Sequence, residues 1–381
     1  MRLLIIDPNL TFASPSMKGV LRALDTLRSR GMEVEAWCWS CEADLPVRIH
    51  KLPRIGDVRI FGGYVFGWLI FWRAWWLFTV KKQPRPDLIY SLAWYYKACD
   101  VCHVHFSPFD WEKRQRSLGI HSLRDLVERF ATVLGLRRAR HFLRQTTARE
   151  LICVSQSVAD DMRAEAPHIP VQVLPNSYDP ARFNLGVRDA FRAEMRRRLG
   201  YDNSHHVFIF VSAGHYRRKG FFLAVEALRC LVPTHPAVRF LVVGGRPERL
   251  AALQAELGPK EDWITFAGMV PDVERYLAAA DALLFPSYSE AFALVEIEAA
   301  ACGLPLFLTP HHGSEMILED QVNGRQIPFD AGGIASVLAE FVDGLWKPQG
   351  QSLKHAIDSE TYSKRFADLL TQAAAAKPSI A

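Results

Sequence analysis

The stretch Phe285-Pro-Ser-Tyr-Ser-Glu-Ala-Phe-Ala-Leu-Val-Glu-Ile-Glu-Ala-Ala-Ala-Cys-Gly-Leu-Pro305 decides the reading of this chain. The apolar run just before it, Ala282-Leu-Leu-Phe285, predicts a buried strand, and Pro286 with three hydroxyl residues reads as its exit loop. A helix is expected from near Ala293 to a Gly303-Leu-Pro305 stop. Glu290 thus stands on a loop at the carboxyl end of a strand, and Glu298 inside the following helix, with seven residues between them. In open α/β sheets ligands bind in the crevice outside those carboxyl ends. Two acceptor-only groups facing that crevice suit a ligand rich in hydroxyls, one for each end of a sugar nucleotide. The plain alternative, two solvated surface charges, fits this strand–loop–helix setting less well.

Outward from this stretch the chain alternates strands and helices twice. In the first half, strands are expected at residues 3–7, 34–39, 87–90, 101–106, 151–154 and 171–176. A helix is expected near 18–29, a basic, proline-containing stretch runs to Arg59, and Ser155 caps a further helix. The chain to about Asn203 reads as a polar connector. In the second half, strands are expected at 207–213, 240–244, 264–267, 282–285 and 306–308, with helices at 222–232, near 248–257 and at 273–279 between them. Double alternation argues two doubly wound sheets. Residues 361–375 are helical by pattern.

A chain of 381 residues is long enough for two domains, and 49% apolar with 23% charged content is ordinary for a globular protein. Net charge is +7 over residues 1–180 and −2 over the rest, so basic charge is confined to the first half. That favours an anionic surface or substrate there. Nucleic acid is not expected, because no recognition-helix or aromatic-sheet signature accompanies the charge. The first apolar run is too short for a signal-peptide core, and seven cysteines point to free thiols in a reducing compartment. Cys38/Cys41 and Cys99/Cys102 have metal-like spacing, but they fall in or at the ends of expected strands, so buried small thiols are the reading and no metal site is expected.

Residues 61–80 stand apart, crowded with Trp and Phe, interrupted by Arg73 and weakened by three glycines. Three readings stay open: a bilayer span, an aromatic helix lying in a membrane interface, and a helix covering the sheet. Lys81, Lys82 and Arg85 follow directly, as suits anionic headgroups. In the second half, Val211-Ser-Ala-Gly-His-Tyr-Arg-Arg-Lys-Gly220 follows a strand and leads into a helix. Its small residues, Gly214 among them, admit a ligand close to the backbone, and Arg218 and Lys219 supply charge for a diphosphate.

The Glu290-x7-Glu298 arrangement and the Lys219-Gly220 loop resemble the motifs of retaining family-4 glycosyltransferases, from about residue 207 to 324 and more faintly back to Met1. Ala98-Cys-Asp-Val-Cys102, Leu174-Pro175 and Arg218-Lys-Gly220 look closest to the enzymes that add a hexose to the lipopolysaccharide core. The resemblance implies an α/β, GT-B fold, two doubly wound Rossmann-like domains facing a central cleft. It places an acceptor-side domain at 1–180, with a C-terminal helix of about 358–376 packing back on it, and a nucleotide-sugar domain at 181–357. It implies metal-independent transfer of a hexose, with retention, from a nucleotide-diphosphate sugar to a lipid-linked or lipopolysaccharide-core saccharide, and no cofactor beyond that donor. Glu290 would touch the transferred sugar, Glu298 the ribose, Arg218 and Lys219 the diphosphate, and the backbone near Val270 the base. His105 would face the sugar, and Asp100 is a candidate for acceptor activation. The usual Gly-Gly turn after the first strand is missing, so either Ser14, Ser16 or Lys18 replaces its backbone contacts or the donor lacks them. The enzyme would sit in the cytoplasm, peripherally on the inner face of the cytoplasmic membrane. A nucleotide-sugar epimerase of the same fold and a non-catalytic membrane-assembly subunit are the alternatives; intact Glu290, Glu298 and Lys219 count against the second.

Overall fold

Runs of Val, Ile, Leu and Phe four to six residues long, bounded by turn residues, form strands buried on both faces, and these build two all-parallel sheets. The computed structural model describes residues 1–54, 62–117, 119, 123–351, 353 and 355–376. The end of the basic stretch, residues 55–59, and Phe61 lie outside the described residues. By its contacts the chain divides into two units, Met1–Ser177 with Ile357–Ala381, and Tyr178–Ala356.

The first unit carries β1 (Arg2–Ile6), β2 (Glu33–Cys38), β3 (Arg48–Lys51), β4 (Leu88–Leu92), β5 (Val101–Val104), β6 (Glu150–Cys153) and β7 (Val171–Val173). Their order across the sheet is β3-β2-β1-β4-β5-β6-β7, so the path reverses beside β1. The helix expected near 18–29 begins earlier and breaks in two, Pro15–Arg22 and Leu24–Ser29. Pro15 at the first helical position explains the early start, since its missing N–H would have no partner there in any case. These helices and the C-terminal helix Ser359–Ala375 pack into one core with β1 and β4. Tyr362, Phe366, Leu370 and Ala373 recur at helical spacing and are all buried, and the Phe366 ring meets Tyr90 edge-on at 5.3 Å. Asp358 caps the helix by accepting from the Thr361 amide at 2.7 Å.

The aromatic segment forms the helix Gly62–Trp75, followed by a π-helical turn, Trp76–Val80. Phe66, Ile70 and Ala74 make its buried stripe, with Phe66 set between Trp39 and Tyr95. Arg73 lies on the same side and places its guanidinium 5.0 Å from the Trp37 ring centre. The charge that interrupts the apolar run therefore turns inward onto an aromatic face, where a cation–π contact offsets part of its desolvation. Trp68, Phe71, Trp72 and Trp75 face outward at 44–58% exposure. No helix among the described residues is long and apolar enough to cross a membrane, which removes the span reading for this segment.

The second unit carries β8 (His206–Val211), β9 (Val238–Val243), β10 (Ile264–Gly268), β11 (Ala282–Phe285), β12 (Leu306–Leu308) and β13 (Gly324–Gln326), in the order β10-β9-β8-β11-β12-β13. The stretch expected as a polar connector contains a helix, Gly186–Leu199. Val187, Phe191, Met195 and Leu199 form a stripe of one residue in four, which the surrounding arginines hide from a composition reading. Two of those arginines face inward: Arg192 and Arg196 meet Asp281 at 2.5 and 3.1 Å.

Asp7, just past β1, is 4% exposed and accepts from the Asn9 amide at 2.7 Å. Burial pushes its carboxyl up to about 7, with the Asn9 bond opposing. A raised folded-state pKa means that the folded chain binds the extra proton between about pH 4 and pH 7, so stability falls as pH rises through that window. Asp7→Asn is expected to be more stable than wild type at pH 8 by roughly 2–4 kcal/mol, with little difference at pH 4. Urea unfolding at both pH values checks this.

Candidate functional site

In the second sheet the path runs outward from β8 through β9 to β10, then returns to β11, so the switch point lies between β8 and β11. Two loops leave the carboxyl ends there, and they touch through their backbones. Gly220 has φ +74°, and a Cβ on it would lie 1.8 Å from the Pro286 carbonyl oxygen. The Tyr288 amide donates to the Arg218 carbonyl at 2.8 Å, and the Ser287 hydroxyl to the same carbonyl at 3.3 Å. This contact brings Lys219 and Glu290 together, Nζ to Oε1 at 3.3 Å, with side-chain exposures of 19% and 11%. Burial acts to raise the Glu290 pKa, but Lys219, Arg218 and His311 together hold it below the ordinary carboxylate range. Lys219 also lies 5.0 Å from the Phe285 ring centre. Gly214 borders open space, where a Cβ would meet nothing within 4 Å. Arg217 is bonded to Glu256.

The helix Leu294–Ala301 follows the Glu290 loop, and Glu298 is half-buried within it. Its charge is felt by Arg182, which is itself bonded to Glu274 at 2.5 Å, and by Cys302. Glu290 and Glu298 therefore belong to different surroundings. Between them stands Glu296, which the sequence reading missed. It is fully buried and meets His311 Nε2 at 2.6 Å, and it also feels Glu290. The signal was available: two residues along a helix turn by about 200°, so Glu296 and Glu298 cannot share a face, and an inward carboxylate needs a partner. Val270 follows β10 and is half-buried.

In the first unit, His105 follows β5 and Asp100 precedes it, so the two stand at opposite edges of the sheet. The strand between them spans roughly 13 Å at 3.3 Å per residue, which rules out a shared site. Asp100 is bound by Arg85 at 3.1 Å, Arg149 at 3.3 Å and the Ile89 amide at 2.8 Å. Asp100 is thus a paired charge at the amino edge of its strand. His105 lies against His103 with the rings tilted at 45° and their centres 4.1 Å apart, and His103 Nδ1 meets the Tyr90 hydroxyl at 2.7 Å. Burial pushes His105 down to about 3, so its ring is neutral at physiological pH. Ser14 and Ser16 are bonded to each other at 3.0 Å. The cysteines are free, with Cys38, Cys99 and Cys102 buried and burial pushing the Cys38 thiol up to about 12.

The second sheet is doubly wound and carries a lysine–carboxylate pair at its switch point, the place where ligands bind in open α/β sheets. Residues 205–343 match the family described as "Glycosyl transferases group 1", and residues 18–182 match "Glycosyltransferase Family 4". The D-inositol 3-phosphate glycosyltransferase of Salinispora arenicola is 32% identical over 349 residues, 80% of this chain and 74% of that protein. The lipopolysaccharide glucosyltransferase WaaG of Escherichia coli is 26% identical over 366 residues, 92% and 93% of the two chains. Against a D-inositol 3-phosphate glycosyltransferase of Segniliparus rotundus the match is shorter, and the chain spans 41% of that protein's length. A crystal structure of WaaG superposes with a TM-score of 0.68 at 22% identity over 98% of each chain. Anabaena HepE in complex with UDP-glucose superposes with a TM-score of 0.69 at 17% identity, covering 98% of this chain and 100% of that one. The fold is the α/β, GT-B fold of these enzymes. The chain belongs to the group 1, family 4 glycosyltransferases.

Because Gly220 carries the contact between the two loops, Gly220→Ala is expected to destabilise the protein by about 1–3 kcal/mol. Gly214→Ala, facing open space, is expected to change stability by less than about 0.5 kcal/mol. Chemical denaturation of both variants makes the comparison.

Proposed function

We propose that the protein is a retaining glycosyltransferase that moves a hexose from a nucleotide-diphosphate sugar to a lipid-linked or lipopolysaccharide-core saccharide. The observation that carries this reading is the Lys219–Glu290 pair at the switch point of the second sheet. A cation and a charged acceptor side by side match the two chemistries of such a donor, diphosphate and sugar hydroxyls. Arg218 and Lys219 take the diphosphate, with Gly214 leaving room for close backbone approach. Glu290 accepts from the transferred sugar, Glu298 from the ribose, and the backbone at Val270 faces the base. In the first unit, neutral His105 at the carboxyl edge of its sheet is the group proposed to meet a saccharide hydroxyl.

The bond from the sugar's anomeric carbon to the diphosphate breaks as the bond to the acceptor oxygen forms on the same face. The acceptor's proton passes to the departing phosphate oxygen. Arg218 and Lys219 balance the charge that grows on the leaving group. Glu290, held charged against Lys219, serves as a hydroxyl acceptor rather than as the displacing nucleophile. UDP-glucose is the first donor to test, since HepE is described in complex with it and WaaG as a glucosyltransferase.

Glu298→Gln is expected to weaken UDP binding roughly tenfold, the loss of about 1.4 kcal/mol from charge-assisted hydrogen bonds, with an unchanged melting point. Titration calorimetry measures the first and thermal denaturation the second. Unchanged affinity would remove Glu298 from the site, and a thermal-shift panel of nucleotide-diphosphate sugars with no response would sink the donor reading.

An anionic bilayer surface is the proposed partner of the first unit, and the inner face of the cytoplasmic membrane the proposed location. The outward rings of the aromatic helix support this, and Lys81 and Lys82 lie at the end of that helix. A second exposed apolar face lies on the helix Leu123–Gln145, at Leu126, Val127, Phe130 and Val133. The two helices are joined where the Tyr64 hydroxyl donates to the Leu134 carbonyl at 2.8 Å and Arg138 covers the Tyr64 ring at 4.5 Å. Arg85, expected among the headgroup contacts, is committed to Asp100 and the Ala98 carbonyl. Wild-type protein is expected to cosediment with anionic vesicles and to release in high salt, each nearby lysine being worth about 1 kcal/mol. Trp72→Ser with Trp75→Ser should reduce binding severalfold without a large loss of melting temperature, because both rings are outside the core. A wild type that ignores vesicles overturns the assignment.

A further inference from the structure

Behind Glu290 lies a pair of buried charges to which the donor reading gives no task. Glu296 and His311 are each 0% exposed, with Oε1 and Nε2 2.6 Å apart. His311 stands on the exit loop of β12 and Glu296 in the helix after Glu290, so their contact joins two neighbouring loops at the same edge of the sheet. Thr309 extends the link: its hydroxyl donates to the Ser287 carbonyl at 2.5 Å, and its oxygen lies 3.5 Å from His311 Nδ1. The Ser287 hydroxyl lies 3.3 Å from Glu290 Oε1. Gly313, with φ +89°, lets the same loop close on Ala291 and Phe292, where a Cβ would lie 2.7 Å from backbone atoms of both.

With its hydrogen committed to Ser287, the Thr309 oxygen can only accept from His311 Nδ1, while Glu296 accepts from Nε2. With Glu296 ionised, both ring nitrogens donate, which is the imidazolium form; burial acts to raise the Glu296 pKa, and His311 opposes it. The charged groups around His311 are Glu296, Glu290 and Glu315; those around Glu290 are Lys219, Arg218, His311 and Glu296. Burial opposes the charge on His311, and the three carboxylates together raise its pKa above the ordinary value.

We propose that Glu296 and His311 are positioning residues of the donor site, which hold the Glu290 loop in register and fix a positive charge behind the Glu290 carboxylate. Neither touches the substrate. The proposal rests on the reading of Glu290 as the acceptor for the transferred sugar.

The test uses the full chain with UDP-glucose and UDP, and the variant Glu296→Gln, which keeps an acceptor for Nε2 but removes its charge. Nitrogen NMR of histidine-labelled protein, with His311 assigned by its loss in His311→Asn, should show both ring nitrogens protonated at pH 7.5 in the wild type. In Glu296→Gln the ring should be neutral at that pH. The variant's kcat should fall roughly tenfold to a hundredfold at pH 7.5, as expected for a misplaced reacting group, while its affinity for UDP changes less than about twofold. Part of the lost rate should return as pH is lowered through the ordinary imidazole range near 6.5, and Glu296→Asp should restore part of it at pH 7.5. A neutral His311 in the wild type overturns the proposal. So does a Glu296→Gln variant with wild-type kcat and pH profile, in protein that binds UDP normally. Failure of the wild type to bind UDP or UDP-glucose overturns the donor reading, and the proposal with it.

Discussion

The close passage of two backbones at Gly220 and Pro286 is the constraint on which the site depends. Without a side chain at Gly220, the loop after β8 lies against the loop after β11, and the Arg218 carbonyl receives bonds from Tyr288 and Ser287. Everything that follows is a consequence of that proximity. Lys219 reaches Glu290 because its neighbour Arg218 is bonded to Tyr288 and Ser287, just before Glu290 on the other loop. Sheet topology determines where this happens, since β8 and β11 are the neighbours between which the chain reverses direction. The same loop residues on adjacent strands of an unreversed sheet would be covered by a crossover helix.

Most of the charge buried in the described residues is buried in company. An isolated buried ion costs several kcal/mol, so a carboxylate buried without a cation, as Asp7 is, has its pKa pushed up instead, while four others each have a cation against them. Asp281 has Arg192 and Arg196, Asp100 has Arg85 and Arg149, Glu290 has Lys219, and Glu296 has His311. The first two join helices and strands away from the carboxyl ends. The last two lie together at the switch point, where a ligand's phosphates and hydroxyls can compete for the same partners. Position in the sheet, rather than pairing, is what sets these two pairs apart from the other two.

Legibility in the sequence followed how local each feature is. Five strands of the second unit were readable because each is a short apolar run between turn residues, and the glutamate helix because Gly303 and Pro305 end it; the edge strand Gly324–Gln326 was not, because it carries no apolar run. The helix Gly186–Leu199 was not, since its large apolar residues stand among arginines, two of which make inward bonds that depend on Asp281, far along the chain. The aromatic helix was read as an open choice between lipid and core. The structure divides its residues between two faces, with Phe66, Ile70 and Ala74 packed and Trp68, Phe71, Trp72 and Trp75 outside. Arg73, which looked like an argument about a bilayer, is an argument about Trp37.

Taken alone, the sequence determined two alternations of strand and helix, the loop that carries Lys219, and the carboxylates of the Glu290–Glu298 motif, because these depend on periodicity and on neighbours within a few residues. Only the tertiary structure decided which charges meet. It set Asp100 at the amino edge of its strand and His105 at the carboxyl edge, and it placed His311, from another strand's loop, against a glutamate that the motif passes over. The physical reason is that a helix or strand assigns each side chain to a face by local geometry. What lies opposite that face is settled only when distant segments pack, and a buried charge is stable only with the partner that packing brings.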